Sequence, residues 1–381
     1  MLWDLQKIIE TYYEMNSPEA RPNAAHVVIQ YLMDMKLDDV SGNLRAALGL
    51  LAWSEQATVH WELGYMEAFV HTVGMLTQST FDAPEFKALS NVTRHNLENA
   101  YNALQIKVLD AEEKLESFGF DRLWHAHGVS TSHPAHKSYG AFRDFVVSFY
   151  TQVYGQWPPP AGRNGRWLTR SMIRRLQEDF GAMYDYLVDR DVGWDGSEER
   201  HTRKWEIVPR RPRPEGFEAD WPGLPITDMF CSFDSFYGYA HIPHPYPLLP
   251  QTGAGGIGGK ANGNHKEKKG GLFSSMRKAK AVATRDPKEQ FQTSIAFNGA
   301  TNINKLGTSF ESNDLIDNLI RYEKSLQLTG VSPPDARMGR WILLYGILQV
   351  VSTLAVDTEG LRYKGTQYFL CPQLGGCPPW V

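Results

Sequence analysis

A chain of 381 residues that is 42% hydrophobic, with eleven Trp, seventeen Tyr and eighteen Phe, has the material for a sizeable core, which excludes the disordered class; its length predicts two compact units, or one large unit with tails. A formal net charge of −4 excludes a global field that would make nucleic acid or a membrane the main partner. Three cysteines, Cys231, Cys371 and Cys377, are an odd number in a long chain, which excludes a disulfide-built secreted domain and fits a reducing compartment.

The N-terminal MLWDLQKIIETYYEM carries Asp4 and Glu10 where a secretion signal needs a basic start and an unbroken apolar run. Leu2 to Met15 reads instead as a short helix, and another follows Pro22. Residues Val40 to Leu76 are helical in pattern, with Gly64 as the weakest point. DAPE, Asp82 to Glu85, is a helix-start signal in which Asp82 accepts from the first-turn N–H groups and Glu85 reaches back to the cap. In the long helix after it, Leu97, Tyr101, Leu104, Val108, Ala111, Leu115 and Phe118 alternate spacings of four and three, a heptad seam. At about three heptads, the seam predicts an antiparallel partner inside the chain rather than a dimeric coil.

The next helix begins near Ser138 and stops at WPPP, where Pro158 to Pro160 cannot continue it. Another begins near Trp167, with Ile173, Leu176, Phe180, Met183 and Leu187 on one stripe and the opposite face expected to be wet. After Asp191 the pattern dissolves into Trp-, Pro- and Gly-rich sequence as far as Pro250, with a short element at ITDMFCSFDSFYGYA. Gln251 to Lys288 is rich in Gly, Lys and Arg and nearly free of large apolar residues, so it cannot offset the entropy of folding. Beyond it, Ser312 is expected to cap a helix carrying Leu315, Ile316, Leu319, Ile320 and Leu326. SPPD, Ser332 to Asp335, starts a final helix with a Ser cap, Pro in the first turn and a favourable Asp. Its stretch Trp341 to Val356 falls short of the roughly 20 residues that span a bilayer and reads as a buried helix.

The expected fold is therefore mainly α, a multi-helix bundle with long aromatic and Pro-rich loops and a basic disordered insertion. The expected organisation is a helical domain over 1–250 with an irregular region at 192–250, a Gly/Lys-rich linker over 251–288, and C-terminal helices and tail over 289–381 that pack into the same core.

The stretches SYGAFRDFVVSFYTQVYGQWPPP, RWLTRSMIRRLQEDFGAMYDYLVDRDVGW and MGRWILLYGILQVVSTLAVDTEGLRYKG…YFL…PPWV resemble an uncharacterised family of filamentous-fungal proteins catalogued only as a domain of unknown function. The resemblance lies chiefly in Ser138 to Trp194 and Ser312 to Trp380. It implies a fungal, intracellular origin, and leaves open whether Met1 is the start of the whole protein. The family carries no assigned activity, cofactor or catalytic residue, so the resemblance implies none.

Candidate chemistry is sparse. His125, His127, His133 and His136 crowd one stretch, but no pair sits on a tight knuckle and no cysteine or carboxylate stands between them, so a polar loop is expected in place of a zinc site. His60, Glu67 and His71, spaced seven and four apart, share a helical face; with no second copy on another helix, the expectation is a half-exposed stripe with a Glu67–His71 contact. DRDVGWDGSEE fails as a calcium loop, because Trp194 stands at the turn glycine and Arg200 at the closing glutamate. GAGGIG, Gly253 to Gly258, has neither a strand before it nor a helix after it and is not a nucleotide loop. No nucleophile elbow and no HExxH motif is present.

Arg163, Arg166, Arg170 and Arg174, with Arg175 alongside, place guanidinium groups one turn apart, a row able to clamp phosphates or an acidic partner. Lys266, Lys268, Lys269, Arg277, Lys278 and Lys280 add a basic stretch suited to anionic lipid or a protein partner. The leading expectation is a non-catalytic intracellular interaction or scaffold protein, cytoplasmic, with other proteins as partners and no cofactor. The alternatives are a metal-dependent enzyme with a bundle-centre site at Glu67 and His71, and a binder of anionic ligands through the Arg row and the basic stretch; nucleic acid is not the expected partner.

Overall fold

Helices begin where a side chain takes over the unpaired N–H groups of a first turn. In the computed structural model, which describes residues 2–13, 17, 21–125, 128–162, 165–187, 223–239, 313–325, 330–354, 358, 360–371 and 374–381, such caps open several of the helices. The helices are α1 (Leu2–Tyr12), α2 (Arg21–Asp34), α3 (Leu44–Ser54), α4 (Glu62–Met75), the one-turn α5 (Pro84–Lys87), α6 (Asn91–Ser117), α7 (Arg122–His125), α8 (Pro134–Tyr154), α9 (Arg170–Leu187), α10 (Ile226–Tyr237), α11 (Asp314–Ser325) and α12 (Pro333–Ser352). The protein is mainly helical, and the described residues include no strand. The insertion 251–288 and most of the loop region before it lie outside the described residues.

The chain forms two units. The first comprises Met1–Glu113, Pro160–Arg175 and Val350–Val381; the second comprises Lys114–Pro159 and Leu176–Gln349.

In the first unit, the expected break at Gly64 falls elsewhere. Gly64 lies inside α4, where an added Cβ would meet the Trp61 ring at 2.3 Å, and the chain leaves helix between α3 and α4 instead. There His60 adopts φ +39°. Glu55, just past α3, accepts from Ser90 N (2.9 Å), Ser90 Oγ (2.8 Å) and Thr93 Oγ1 (2.7 Å). The tie between the end of α3 and the start of α6 is a tertiary constraint that local propensity does not register. The DAPE reading is corrected as well. Asp82 ends a 3₁₀ turn (Gln78–Asp82), the cap position of α5 is Ala83, and the long helix starts at Ser90, whose Oγ accepts from Thr93 N at 3.2 Å. Trp53, Tyr65, Phe69, Val70 and Val73 are buried, and Leu361 and Leu370 from the C-terminal segment join Val70 in one apolar cluster. The heptad face of α6 is inward: Leu97, Leu104, Val108 and Ala111 are buried in this unit, the half-buried Tyr101 meets Phe81 edge-on, and Leu115 and Phe118 at the end of the seam are buried in the second unit.

In the second unit, Phe118, Tyr150, Trp157 and Phe180 form an aromatic cluster. The α12 helix is buried continuously from Ala336 to Val351, as its all-round apolar pattern requires. Two glycines allow close approach: a Cβ on Gly339 would lie 2.1 Å from the Ala135 carbonyl oxygen, and one on Gly346 would lie 2.7 Å from the Phe120 ring. Ser332 caps α12, its Oγ accepting from Asp335 N (3.3 Å) and donating to Asp335 Oδ2 (2.5 Å). The cap of α11 is Asn313, whose Oδ1 accepts from Ile316 N at 2.9 Å, one residue beyond the expected Ser312. The apolar stripe of α9 is buried and the face opposite it exposes Ser171, Arg174 and Glu178, as expected, but the buried face is wider than the stripe: Gln177, Asp179, Tyr184, Asp185 and Tyr186 are buried too. Tyr150 donates to Asp179 at 3.0 Å, and polar residues satisfied in this way are invisible to a hydrophobic period.

Candidate functional site

The α4 stretch GYMEAFVHTVG sets Glu67 and His71 among apolar residues, and both are buried, Glu67 at 4% exposure and His71 at 0%. Their mutual contact is present, with His71 Nε2 3.0 Å from Glu67 Oε1. They do not form the half-exposed stripe that the spacing suggests. His60, expected on their face, lies outside α4 and stacks on Trp380, ring centroids 4.8 Å apart.

Glu67 and His71 hold the C-terminal segment. The Arg362 N–H donates to Glu67 Oε2 (2.8 Å) and the Tyr363 N–H to Glu67 Oε1 (3.0 Å). Tyr368 Oη lies 2.7 Å from His71 Nδ1 and accepts from Gly42 N at 3.3 Å. Burial raises the Tyr368 hydroxyl above its ordinary pKa; a carboxylate at Glu67 only accepts, so the His71 Nε2–H donates to it. Asp38, 2% exposed, pairs with the Arg362 guanidinium and accepts from Tyr363 Oη (2.9 Å). Gly74 completes the seat, since a Cβ there would lie 2.3 Å from the Tyr368 ring and 2.5 Å from the Phe369 carbonyl oxygen.

The arginine row divides. Arg163 lies outside the described residues. Arg166 turns inward to Glu112 Oε2 (2.9 Å), while Trp167 N and Leu168 N donate to Glu112 Oε1 at 2.9 and 3.0 Å. Arg170, 8% exposed, donates to the carbonyls of Thr366 (2.6 Å) and Lys364 (2.8 Å). Arg174 is exposed and Arg175 half-buried. The helix begins at Arg170 rather than near Trp167, so Arg163 and Arg166 precede it and the spacing of a helical face does not extend to them. The basic residues Lys266, Lys268, Lys269, Arg277, Lys278 and Lys280, and the acidic run that includes Asp189 and Asp191, lie outside the described residues.

The histidine stretch also resolves into separate roles. His133 is the N-cap of α8, its Nδ1 accepting from Ala135 N at 3.1 Å. His136 packs edge-on against Trp124, centroids 4.9 Å apart, and burial lowers its pKa. His125 ends α7 exposed, and His127 is not among the described residues. Among the described residues, no group of three or more His, Cys, Asp or Glu comes together in a way that would hold a metal ion.

The second unit has polar clusters of its own. Asp234 on α10 accepts from Tyr345 Oη (2.7 Å) and Gln349 Nε2 (2.8 Å), all buried. Glu323 on α11 pairs with Arg340 and lies 3.8 Å from Arg337 on α12. An open depression of about 480 Å³ runs along the outer face of α10, lined by Arg122, Asp228, Cys231, Ser232, Ser235 and Phe236.

Sequence reasoning missed Asp38, Glu112, Arg362, Tyr363 and Tyr368. A weak signal for two of these positions exists: an arginine followed by an aromatic residue stands at Arg362–Tyr363 as it does at Arg166–Trp167, and also at Arg321–Tyr322 and Arg340–Trp341, and the first two pairs are held by buried acids.

The class that emerges is a helical protein whose buried acids fasten distant segments of its own chain. Residues 25–120, most of α2 through α6, match a family described as a domain of unknown function (DUF8004), so over that stretch the chain is similar to an uncharacterised domain. No curated protein and no solved structure matches. No helix among the described residues is long and apolar enough to cross a membrane.

Proposed function

We propose that this protein is a non-catalytic intracellular interaction or scaffold protein and that its N-terminal helices carry a contact surface. The observation behind this reading is an exposed apolar row on each of α1 and α2. Ile8 and Tyr12 stand one turn apart on α1 at 52% and 80% exposure, with Trp3 at 45%; Val27 and Tyr31 do the same on α2 at 45% and 49%, and Met35 follows at 58%. The core contacts of α2 are made by Ala24, Ala25, Val28 and Leu32 instead. Single exposed apolar residues are common, but rows that include Trp, Tyr and Met have the composition of protein contact surfaces.

The buried acids of the first unit support the same reading, since their oxygens serve the chain's own segments. Three free thiols fit a reducing compartment, and we take the location as cytoplasmic. The resemblance over Ser138–Trp194 and Ser312–Trp380 supports a fungal origin.

The test is quantitative affinity co-purification from a filamentous-fungal lysate with three baits: the intact chain, the same chain carrying Ile8→Asp and Tyr31→Asp, and a chain lacking 251–288. The expected result is a stoichiometric partner on the intact chain that the double variant loses while its thermal midpoint stays unchanged. Retention by all three baits alike, or by none, overturns the proposal.

A further inference from the structure

The first unit fastens two remote segments by the same chemistry. Glu67 on α4 takes the successive N–H groups of Arg362 and Tyr363, and Glu112 on α6 takes those of Trp167 and Leu168 together with the Arg166 guanidinium. At the C-terminal segment the recognition extends further along the main chain, with Arg170 donating to the carbonyls of Lys364 and Thr366. Two side chains are read specifically: Asp38 receives both the Arg362 guanidinium and the Tyr363 hydroxyl. Leu361 and Leu370 seat against Val70. Inside the segment Thr366 N donates to the Lys364 carbonyl at 3.0 Å and Thr366 Oγ1 to the Tyr368 carbonyl at 3.1 Å. The main-chain groups of Arg362, Tyr363, Lys364 and Thr366 are met by the side chains that the segment lies against.

We infer that Asp38, Glu67, His71 and Arg170 form a peptide-binding site for a non-helical segment with an Arg–aromatic pair, occupied here in cis by Leu361–Tyr368. The occupant that takes it in trans is the same segment of a second copy of this chain. Recognition that rests on main-chain N–H and carbonyl groups plus one Arg–Tyr pair is indifferent to which copy supplies them. Buried carboxylates left without partners are strongly disfavoured, so the site favours exchange of one occupant for another over standing vacant. Tethering gives the cis segment an effective concentration on the order of millimolar, so it competes with any segment arriving from outside. This site shares no residue with the α1–α2 rows, and its fate is independent of theirs.

The experiment titrates a fluorescent peptide of residues 358–381 into two full-length proteins, the unsubstituted chain and one carrying Arg362→Ala and Tyr363→Ala. The expected result is binding to the substituted chain at least about tenfold tighter than to the unsubstituted chain, where the cis segment competes. A peptide bearing the same two substitutions binds neither. If the substituted chain keeps its helical circular dichroism and binds no peptide, or binds both peptides alike, the inference is overturned. Should that variant fail to fold, the unsubstituted chain decides. Held at high concentration, it forms a dimer that excess unsubstituted peptide disperses and the substituted peptide does not. A dimer insensitive to both peptides, or a chain that stays monomeric and binds no peptide, overturns the inference equally.

Discussion

Replacing Glu67 by Gln preserves its size and removes its charge and one acceptor. Three donors converge on the carboxylate, from Arg362 N at 2.8 Å and from Tyr363 N and His71 Nε2 at 3.0 Å each. An amide oriented to keep the last two sets its NH₂ against the Arg362 N–H. One buried donor then goes unmet, at about 1–3 kcal/mol, and two charge-assisted bonds become neutral ones of about half the strength. Together these amount to about 3–5 kcal/mol, a large share of the roughly 5–15 kcal/mol typical of a folded domain. At about 2–4 °C per kcal/mol for a unit of this size, the thermal midpoint should fall by about 10 °C. Urea unfolding followed by far-UV circular dichroism gives the free energy, and hydrogen exchange locates it at the amides of Arg362 and Tyr363. A double-mutant cycle with Tyr368→Phe should show coupling above about 0.5 kcal/mol, because His71 joins the two groups. A loss below about 1 kcal/mol, or unchanged protection at those two amides, would refute the assigned network.

Glycines separate packing from propensity: Gly74→Ala should destabilise by about 1–3 kcal/mol because its Cβ meets Tyr368 and Phe369. Gly49→Ala, in α3 with nothing within 4 Å of the new Cβ, should stabilise by about 0.5–1 kcal/mol; urea midpoints moving the same way for both would contradict this. Burial lowers the His136 pKa in the folded state, so the unfolded chain protonates first at about pH 6.5 and stability falls as pH drops below that value. Unfolding free energies between pH 7 and 5 should show a shallower decline in His136→Gln. At the alkaline end, burial pushes Tyr322 up to about 12 and raises Tyr65 and Tyr139 as well. The unfolded chain ionises first at about pH 10, and stability should decline from there upward; an unfolding free energy that stays level from pH 10 upward would count against it. Of the three thiols, exposed Cys231 should react fastest with a disulfide reagent, ahead of buried Cys371 and of Cys377, whose pKa burial raises. A native titration in which Cys377 keeps pace with Cys231 would contradict that order.

Local signals were sufficient for several elements. The heptad face of α6 is inward because an apolar seam has nowhere else to go, and α12 starts at Ser332 because its Ser, prolines and Asp settle the first turn without help from elsewhere. The burial of Glu67 and His71 is written in the apolar residues around them on α4, although the sequence reading left them half-exposed. Tertiary structure alone decided where α3 ends, since the partners of Glu55 are Ser90 and Thr93. It also decided that Arg166 and Arg170 face inward, and that Glu67 and His71 grip a segment almost 300 residues further along the chain. Sequence determines which groups must find partners, because a buried charge or N–H cannot remain alone; which partner each one meets depends on chain segments brought together only by folding.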